Sequence, residues 1–324
     1  MKKLWLLLIM IPFFITGCSS YTELNDLGIV SLLGIDYQNN KYQVYVTIIE
    51  GKQDDGMLEK EQTYFHAEAN TLEESFQKIT LQSDKKVYLS HVDCLLITEN
   101  LIHYQLKDTL FNFLNNNESR NNFNIVFVKE NLSLFFKQQV TAEEINKLIE
   151  INQNQSGTIT EMDFESFLKN LLIDSNSMIP TISYRDDHLE VEGFTLIKDF
   201  QVFDSLTSEE SFIVNLLSNK VTHAIWKDAT VYESEAIIKT NKNKVTIMIR
   251  ITTDQPDKIE KELKEESKSL LLYYQEKNYD LLKLQNKIKQ NDYSYYKKTK
   301  DLLKKIEFNI KIDTKEKNNY IEEE

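Results

Sequence analysis

The sequence predicts a mixed α/β (α+β) fold: mixed sheets packed by helices, in more than one domain, with a long helix near the C-terminus. Three observations carry this. Strand-like runs of Ile, Val, Leu and Tyr alternate along the chain with segments whose apolar residues follow helical spacing. Hydrophobic residues make up 41% and charged residues 27%, a balance that excludes both a disordered chain and a polytopic membrane protein. Only 7 Gly and 3 Pro occur, which leaves little room for linker-rich or glycine-loop architectures. A length of 324 residues corresponds to two or three domains.

Leu27 to Asp36 and Tyr42 to Ile49, joined by the polar Tyr37–Lys41 turn, read as a β-hairpin. After the polar loop Gln53–Gly56, Gln62 to Glu68 alternates like another strand. Thr71 and Glu74 have capping-box spacing, in which the hydroxyl takes a free N–H of the first turn and the carboxylate reaches back. Leu72, Phe76 and Ile79 then follow a helix. Cys94 to Thr98 is a short buried strand, Leu106, Leu110, Phe113 and Leu114 mark a helix ending in Asn115–Asn117, and Phe123 to Val128 is strand again.

Between about 130 and 180 the pattern is mostly helical, with a second capping box at Thr141 and Glu144, a loop at Asn152–Gly157 and a helix over Asp163–Ile173. Ser175–Pro180 is the best boundary, because the residue before a proline is pushed out of the α region. Strands resume at Thr181–Tyr184 and Leu189–Ile197, and a third box at Thr207 and Glu210 opens a further helix. Thr230–Lys239 and Val245–Ile251 read as paired strands. Asp257 to Lys289 is a long helical pattern with a near-heptad stripe, interrupted by Ser267 and Lys277; a helix lying across a sheet fits better than a coiled coil. Phe308 to Ile312 is a final strand, and Glu322–Glu324 an acidic tail. The organisation expected is a signal segment over 1–17, an N-terminal domain over 18–176, a linker over 177–187 and a C-terminal domain over 188–324.

The N-terminus indicates the compartment. Lys2 and Lys3 precede twelve apolar-type positions, Leu4 to Ile15, too few for a bilayer span of about 20 helical residues but the length of a secretory signal core. The stretch ends in Ile15-Thr16-Gly17-Cys18, which resembles a bacterial lipobox, so Cys18 is the expected lipidation site. Cleavage before Cys18 removes two lysines and no acid, leaving 36 basic against 51 acidic residues, a net charge of −15. Such a body is repelled by anionic lipid at short range. It also lacks the basic footprint of a nucleic-acid-binding protein. The second cysteine, Cys94, is flanked by Val92, Leu95, Leu96 and Ile97 and reads as a small buried hydrophobe.

The search for chemistry returns little. His66, His91, His103, His188 and His223 are well separated, and no HExxH, GxSxG, Walker A or GxGxxG pattern is present. Ser90-His91 beside Asp93 does not make a nucleophile–base pair, because neighbours on a strand point to opposite faces. Asp186-Asp187-His188 reads as a solvated turn. No catalytic residue, cofactor-binding residue or metal ligand is assigned.

Several ordered segments carry a resemblance. Glu23 to Val30, Gly34-Ile35-Asp36 and Tyr42-Gln43-Val44, directly after the lipobox, resemble the opening of the spore germinant-receptor C subunits, the Ger(x)C lipoproteins. Ala69 to Ser75, then Tyr88-Leu89-Ser90-His91 with Leu95 to Leu101, are similar to successive segments of that family. So are Phe111 to Val128 (with Arg120 at a basic position), Gly193 to Lys198, and Leu206 to Glu210 with Leu216-Leu217. The resemblance implies a non-enzymatic, multi-domain α/β ectodomain whose only added group is diacylglycerol and acyl at Cys18. It implies polytopic A and B membrane subunits of a germinant receptor as partners, nutrient binding in a partner subunit, and anchorage on the outer face of the spore inner membrane. Two other classes share the signal. A transporter-associated solute-binding lipoprotein needs two similar βαβ lobes, and a lipoprotein hydrolase needs a nucleophile–base pair; neither is legible.

Overall fold

The computed structural model describes residues 26–54, 57–116 and 120–317. Cys18, the signal segment and the acidic tail lie outside the described residues. The chain first builds β1 (Leu27–Gln38), β2 (Lys41–Asp54) and β3 (Met57–Ala69), two antiparallel hairpins in succession. Asn39 and Asn40 both have positive φ, the two-residue turn that matches strand twist. Asp186-Asp187 and Asp199-Phe200 turn the chain in the same way further on.

Next come α1 (Leu72–Ser83), β4 (Lys86–Tyr88), β5 (Cys94–Ile97), α2 (Glu99–Asn115) and β6 (Asn124–Val128). Three helices follow, α3 (Leu132–Lys137), α4 (Ala142–Gln155) and α5 (Phe164–Asp174), then β7 (Asn176–Arg185), β8 (His188–Lys198) and β9 (Gln201–Leu206). These strands form one sheet of order β3-β2-β1-β5-β6-β7-β8-β9, with β4 pairing β1. Its centre, β1-β5-β6-β7, is parallel and its flanks are antiparallel. Parallel strands need crossovers that cover both faces with helices. Accordingly all four residues of β5 and the last four of β6 are buried.

Alternation along the strands divides the core. Leu33, Ile35, Leu95, Ile97, Ile125 and Phe127 face α1, α2 and α5, and Leu32, Leu96, Val126 and Val128 face α3 and α4. A bulge at Ser31 resets the register of β1, so that Val30 joins the first of these faces.

The second sheet, β10 (Ala224–Trp226), β11 (Ala229–Asn241), β12 (Lys244–Thr253) and β13 (Glu307–Glu316), has the order β10-β11-β12-β13. The chain reaches it through α6 (Ser208–Leu217). β12 and β13 are parallel, joined by a crossover that holds α7 (Pro256–Glu276), α8 (Leu284–Asn291) and α9 (Tyr293–Lys298). Ile259, Leu263 and Leu270 of α7 are buried in one cluster with Ile247, Ile249 and Ile312 of the sheet. Buried Gln275 donates to the carbonyls of Leu303 and Ile306 (2.7 and 2.8 Å), tying α7 to the returning chain.

Four expectations are corrected. Residues 177–187 are no linker: they form most of β7 and its turn, and β7 pairs with both β6 and β8, so the first sheet runs to Leu206. The 257–289 pattern is two helices. Asn278, at φ 57°, ends α7, and Tyr279 turns into the core where a further helical turn was expected. Thr71 accepts from the Glu74 N–H (3.1 Å), but the Glu74 carboxylate reaches the N–H of Asn70 (3.2 Å), so the box closes one residue early. Helix α4 runs through Gln155 into the segment read as a loop. The boxes at Thr141 and Thr207 are both complete.

Gly193 is fixed by geometry. It follows a bulge in β8, has φ 114°, and a Cβ there would stand 2.3 Å from the Leu206 carbonyl oxygen and 2.7 Å from Ser211 Oγ. Gly193→Ala should therefore destabilise the fold by about 3 kcal/mol through backbone strain and overpacking. Urea unfolding of the two proteins checks this, and an unchanged midpoint would contradict the bulge geometry.

Candidate functional site

The sequence candidates for chemistry stay dispersed. Cys94 is fully buried between β1 and β6, and burial pushes its thiol far up, with the neighbouring Asp93 charge adding to the effect. A thiol in that state is inert. His66 bonds Gln43 Oε1 (2.9 Å) and stacks on Tyr45, and burial pushes its pKa down. His103 pairs with Gln201, and His223 lies near Tyr232. His188 sits after the Asp186-Asp187 turn, where the Asp186 carbonyl and then Glu190 push its pKa up. Ser90 and His91 occupy a turn between β4 and β5, not the strand expected, and the exposed His91 ring stands 6.0 Å from Tyr88. Among the described residues no three His, Cys, Asp or Glu side chains converge as a metal site requires.

The principal concavity is a cleft of about 930 Å³ between the two sheets. Its walls are α5, the start of β7, the end of α6, β11 and the crossover around Tyr279–Tyr293. Tyr279 anchors this wall. Its hydroxyl donates to the Ser177 carbonyl at 2.7 Å, and its ring stacks on Phe203 at 5.0 Å between centroids. The next residue, Asp280, is buried and accepts the first free N–H groups of α8, Leu284 on Oδ1 and Gln285 on Oδ2, each at 2.8 Å. Burial pushes the Asp280 carboxyl up, and those two N–H groups pull the other way.

Lysines from distant parts of the chain meet here. Lys220 at the end of α6 places its Nζ 3.3 Å from Thr160 Oγ1, and enclosure by protein pushes its pKa down. Lys283 before α8 is lowered mainly by burial; Asp174, with an oxygen 3.9 Å away, and Asp280 pull its pKa up, and Lys220 and Lys169 push it down. Asp174 itself is raised by burial, against the pull of Lys283 and the amide of Asn286. None of these residues had a signal in the sequence. Lys169, Lys220 and Lys283 are separated by fifty or more positions and share no local pattern: Lys169 and Lys283 follow leucines, and Lys220 follows Ser218-Asn219.

A family model described as the spore germination protein N-terminal domain matches residues 20–184, half of the chain, from just after Cys18 to the end of β7. The chain is a member of the Ger(x)C family of spore germination proteins. Spore germination protein GerQC of Bacillus cereus is 26% identical over 225 residues, covering 67% of this chain and 61% of that protein. Spore germination protein KC of Bacillus subtilis (strain 168) is 25% identical over 181 residues, covering 51% of this chain and 44% of that protein. This chain thus spans between 44% and 61% of the length of these curated relatives. The crystal structure of the GerBC protein has the same fold, with a TM-score of 0.56 at 16% identity, over 88% of this chain and 97% of that one.

The Ger(x)C-like segments of the sequence fall on the framework of the first sheet. Gly34-Ile35-Asp36 lies on β1, where Gly34 makes room for the Phe136 ring. Buried Asp36 accepts from the Tyr37 N–H (2.7 Å) and from the Thr98 hydroxyl, and Thr98 in turn caps α2 by accepting from the Leu101 N–H (3.3 Å). Thr98 therefore joins hairpin to helix. Among the described residues no helix is long and apolar enough to cross a membrane.

Tyr279 gives a direct check on the cleft wall. Tyr279→Phe keeps the ring and loses one hydroxyl bond, at a cost of about 1 kcal/mol. Tyr279→Ala empties a buried aromatic site, at about 3–5 kcal/mol. Equal losses for the two variants in urea unfolding would contradict this division between ring and hydroxyl.

Proposed function

We propose that this Ger(x)C protein is a non-enzymatic, lipid-anchored subunit of a spore germinant receptor. In this reading it assembles with the polytopic A and B membrane subunits on the outer face of the spore inner membrane, and nutrient binds in a partner subunit. The observation that carries the reading is the position of the family match. It begins at residue 20, two residues after the lipobox cysteine, so the germination domain follows the anchor directly. Eight residues separate Cys18 from Leu27, the first residue of β1, and the nine backbone steps reach at most about 32 Å when fully extended. That tether holds the body close to the bilayer.

Attachment then depends on acyl chains and protein partners. The mature body carries 15 net negative charges and gains nothing from anionic headgroups. Each buried acyl CH₂ contributes about 0.8 kcal/mol, so one chain holds marginally and two or three hold firmly.

Two outcomes are expected. Cys18→Ala should leave a folded body that no longer incorporates labelled fatty acid and moves to the soluble fraction; labelling and membrane retention of this variant would remove Cys18 as the anchor. Deleting the gene should abolish germination in response to particular nutrients while a trigger that bypasses receptors still works. Unchanged responses to every nutrient, in a strain without related subunits, would defeat the receptor reading.

A further inference from the structure

We propose that the cleft between the two sheets binds a small polyvalent oxyanion, a di- or tricarboxylate or a polyphosphate, held by Lys169, Lys220 and Lys283. This goes beyond the receptor reading and does not depend on it. The first ground is charge placement. The whole chain has 38 basic against 51 acidic residues, yet the cleft is lined by five lysines and four carboxylates. Three of those carboxylates are already committed. Asp163 caps α5 by accepting from the Ser166 N–H (2.8 Å), Asp280 accepts two N–H groups of α8, and Asp174 accepts from Asn286. The fourth, Glu161, is exposed.

The second ground is how the amines are held. Among the described residues no carboxylate stands within 4 Å of Lys220, whose Nζ has the neutral Thr160 hydroxyl as its partner. Lys283 reaches Asp174 only at 3.9 Å. Lysines on a convex surface splay apart into water. Here one cleft lining brings them near enough that the charges on Lys220 and Lys169 disfavour the charge on Lys283, against Asp174 and Asp280, which favour it. Among the described residues Lys220 has no such carboxylate beside it, and an anion entering the cleft would supply its counter-charge.

The third ground is size and lining. About 930 Å³ lies within the range of small-molecule pockets and is mixed polar and apolar, as such pockets are. Asn170, Asn219 and Ser218 add neutral donors around the amines. Because walls from both sheets contribute, a bound anion would bridge them.

The test uses the full chain purified in detergent, titrated calorimetrically with sodium citrate and with sodium pyrophosphate at ionic strength held constant by chloride. Saturable one-site binding is expected for at least one of them. Citrate alone would assign a carboxylate ligand, and pyrophosphate alone a phosphate. The double variant Lys220→Gln, Lys283→Gln should weaken binding about tenfold or more. Its melting temperature without ligand should match or exceed the parent's, since it removes a repulsion. If that variant does not fold, Lys169→Gln, on the exposed side of α5, supplies the same comparison. Absence of saturable binding for both anions would overturn the proposal. So would affinity that the lysine variants leave unchanged, or a response that chloride reproduces.

Discussion

Helix α6 is buried on every side, and the arrangement of both sheets depends on it. Seven consecutive residues, Ser211 to Leu217, are out of water. A helix buried all round must satisfy its polar side chains inside the protein. Ser211 accepts the Phe194 N–H freed at the β8 bulge (3.1 Å), and Asn215 donates to the carbonyls of Gly157 and Thr158 (2.8 and 3.1 Å). The apolar side chains face both ways: Phe212 stacks near Trp226 of the second sheet, and one buried cluster runs from Leu32 and Leu96 of the first sheet to Ile247 and Ile312 of the second. Burying five large apolar side chains of this helix contributes on the order of 10 kcal/mol before entropy is counted, similar to the net stability of a whole domain. The sheets are therefore not independent bodies on a string.

This constraint explains what could be read from the sequence. Turns and caps are local and legible: the hairpin closed by Asn39-Asn40 and the boxes at Thr141 and Thr207 depend on residues within a few positions of one another. The linker expectation fails because Pro180, which resembles a boundary signal, sits inside β7. Its missing N–H is tolerated since β6 pairs with β7 only at Thr181 and Ile182, just beyond it. The long helix fails because Tyr274, Leu281, Leu284 and Ile288 keep a helical rhythm while the backbone turns at Asn278 and Lys283, both at positive φ. Long-range placement left no trace. Nothing in the neighbourhoods of Lys169, Lys220 and Lys283 announces that they meet.

The same joint connects the start of β1 with the cleft. The chain enters the first sheet at Leu27, at one end of β1, and continuous pairing carries from β1 through β5, β6 and β7 to the cleft wall at Ser177, where Tyr279 of the crossover docks. A displacement at one end of such a path reaches the other only if the sheets move as one. The segments that resemble other Ger(x)C proteins, such as Gly34–Asp36 with Thr98, serve that rigidity as framework.

Native-state hydrogen exchange of the α6 amides tests this account most directly, because exchange free energies separate local opening from global unfolding. The account predicts that Phe212 to Leu217 exchange only through global unfolding, at the same free energy as the amides of β6 and β12. A lower free energy for α6 together with the second sheet, while β5 and β6 remain protected, would show two separable units and contradict it.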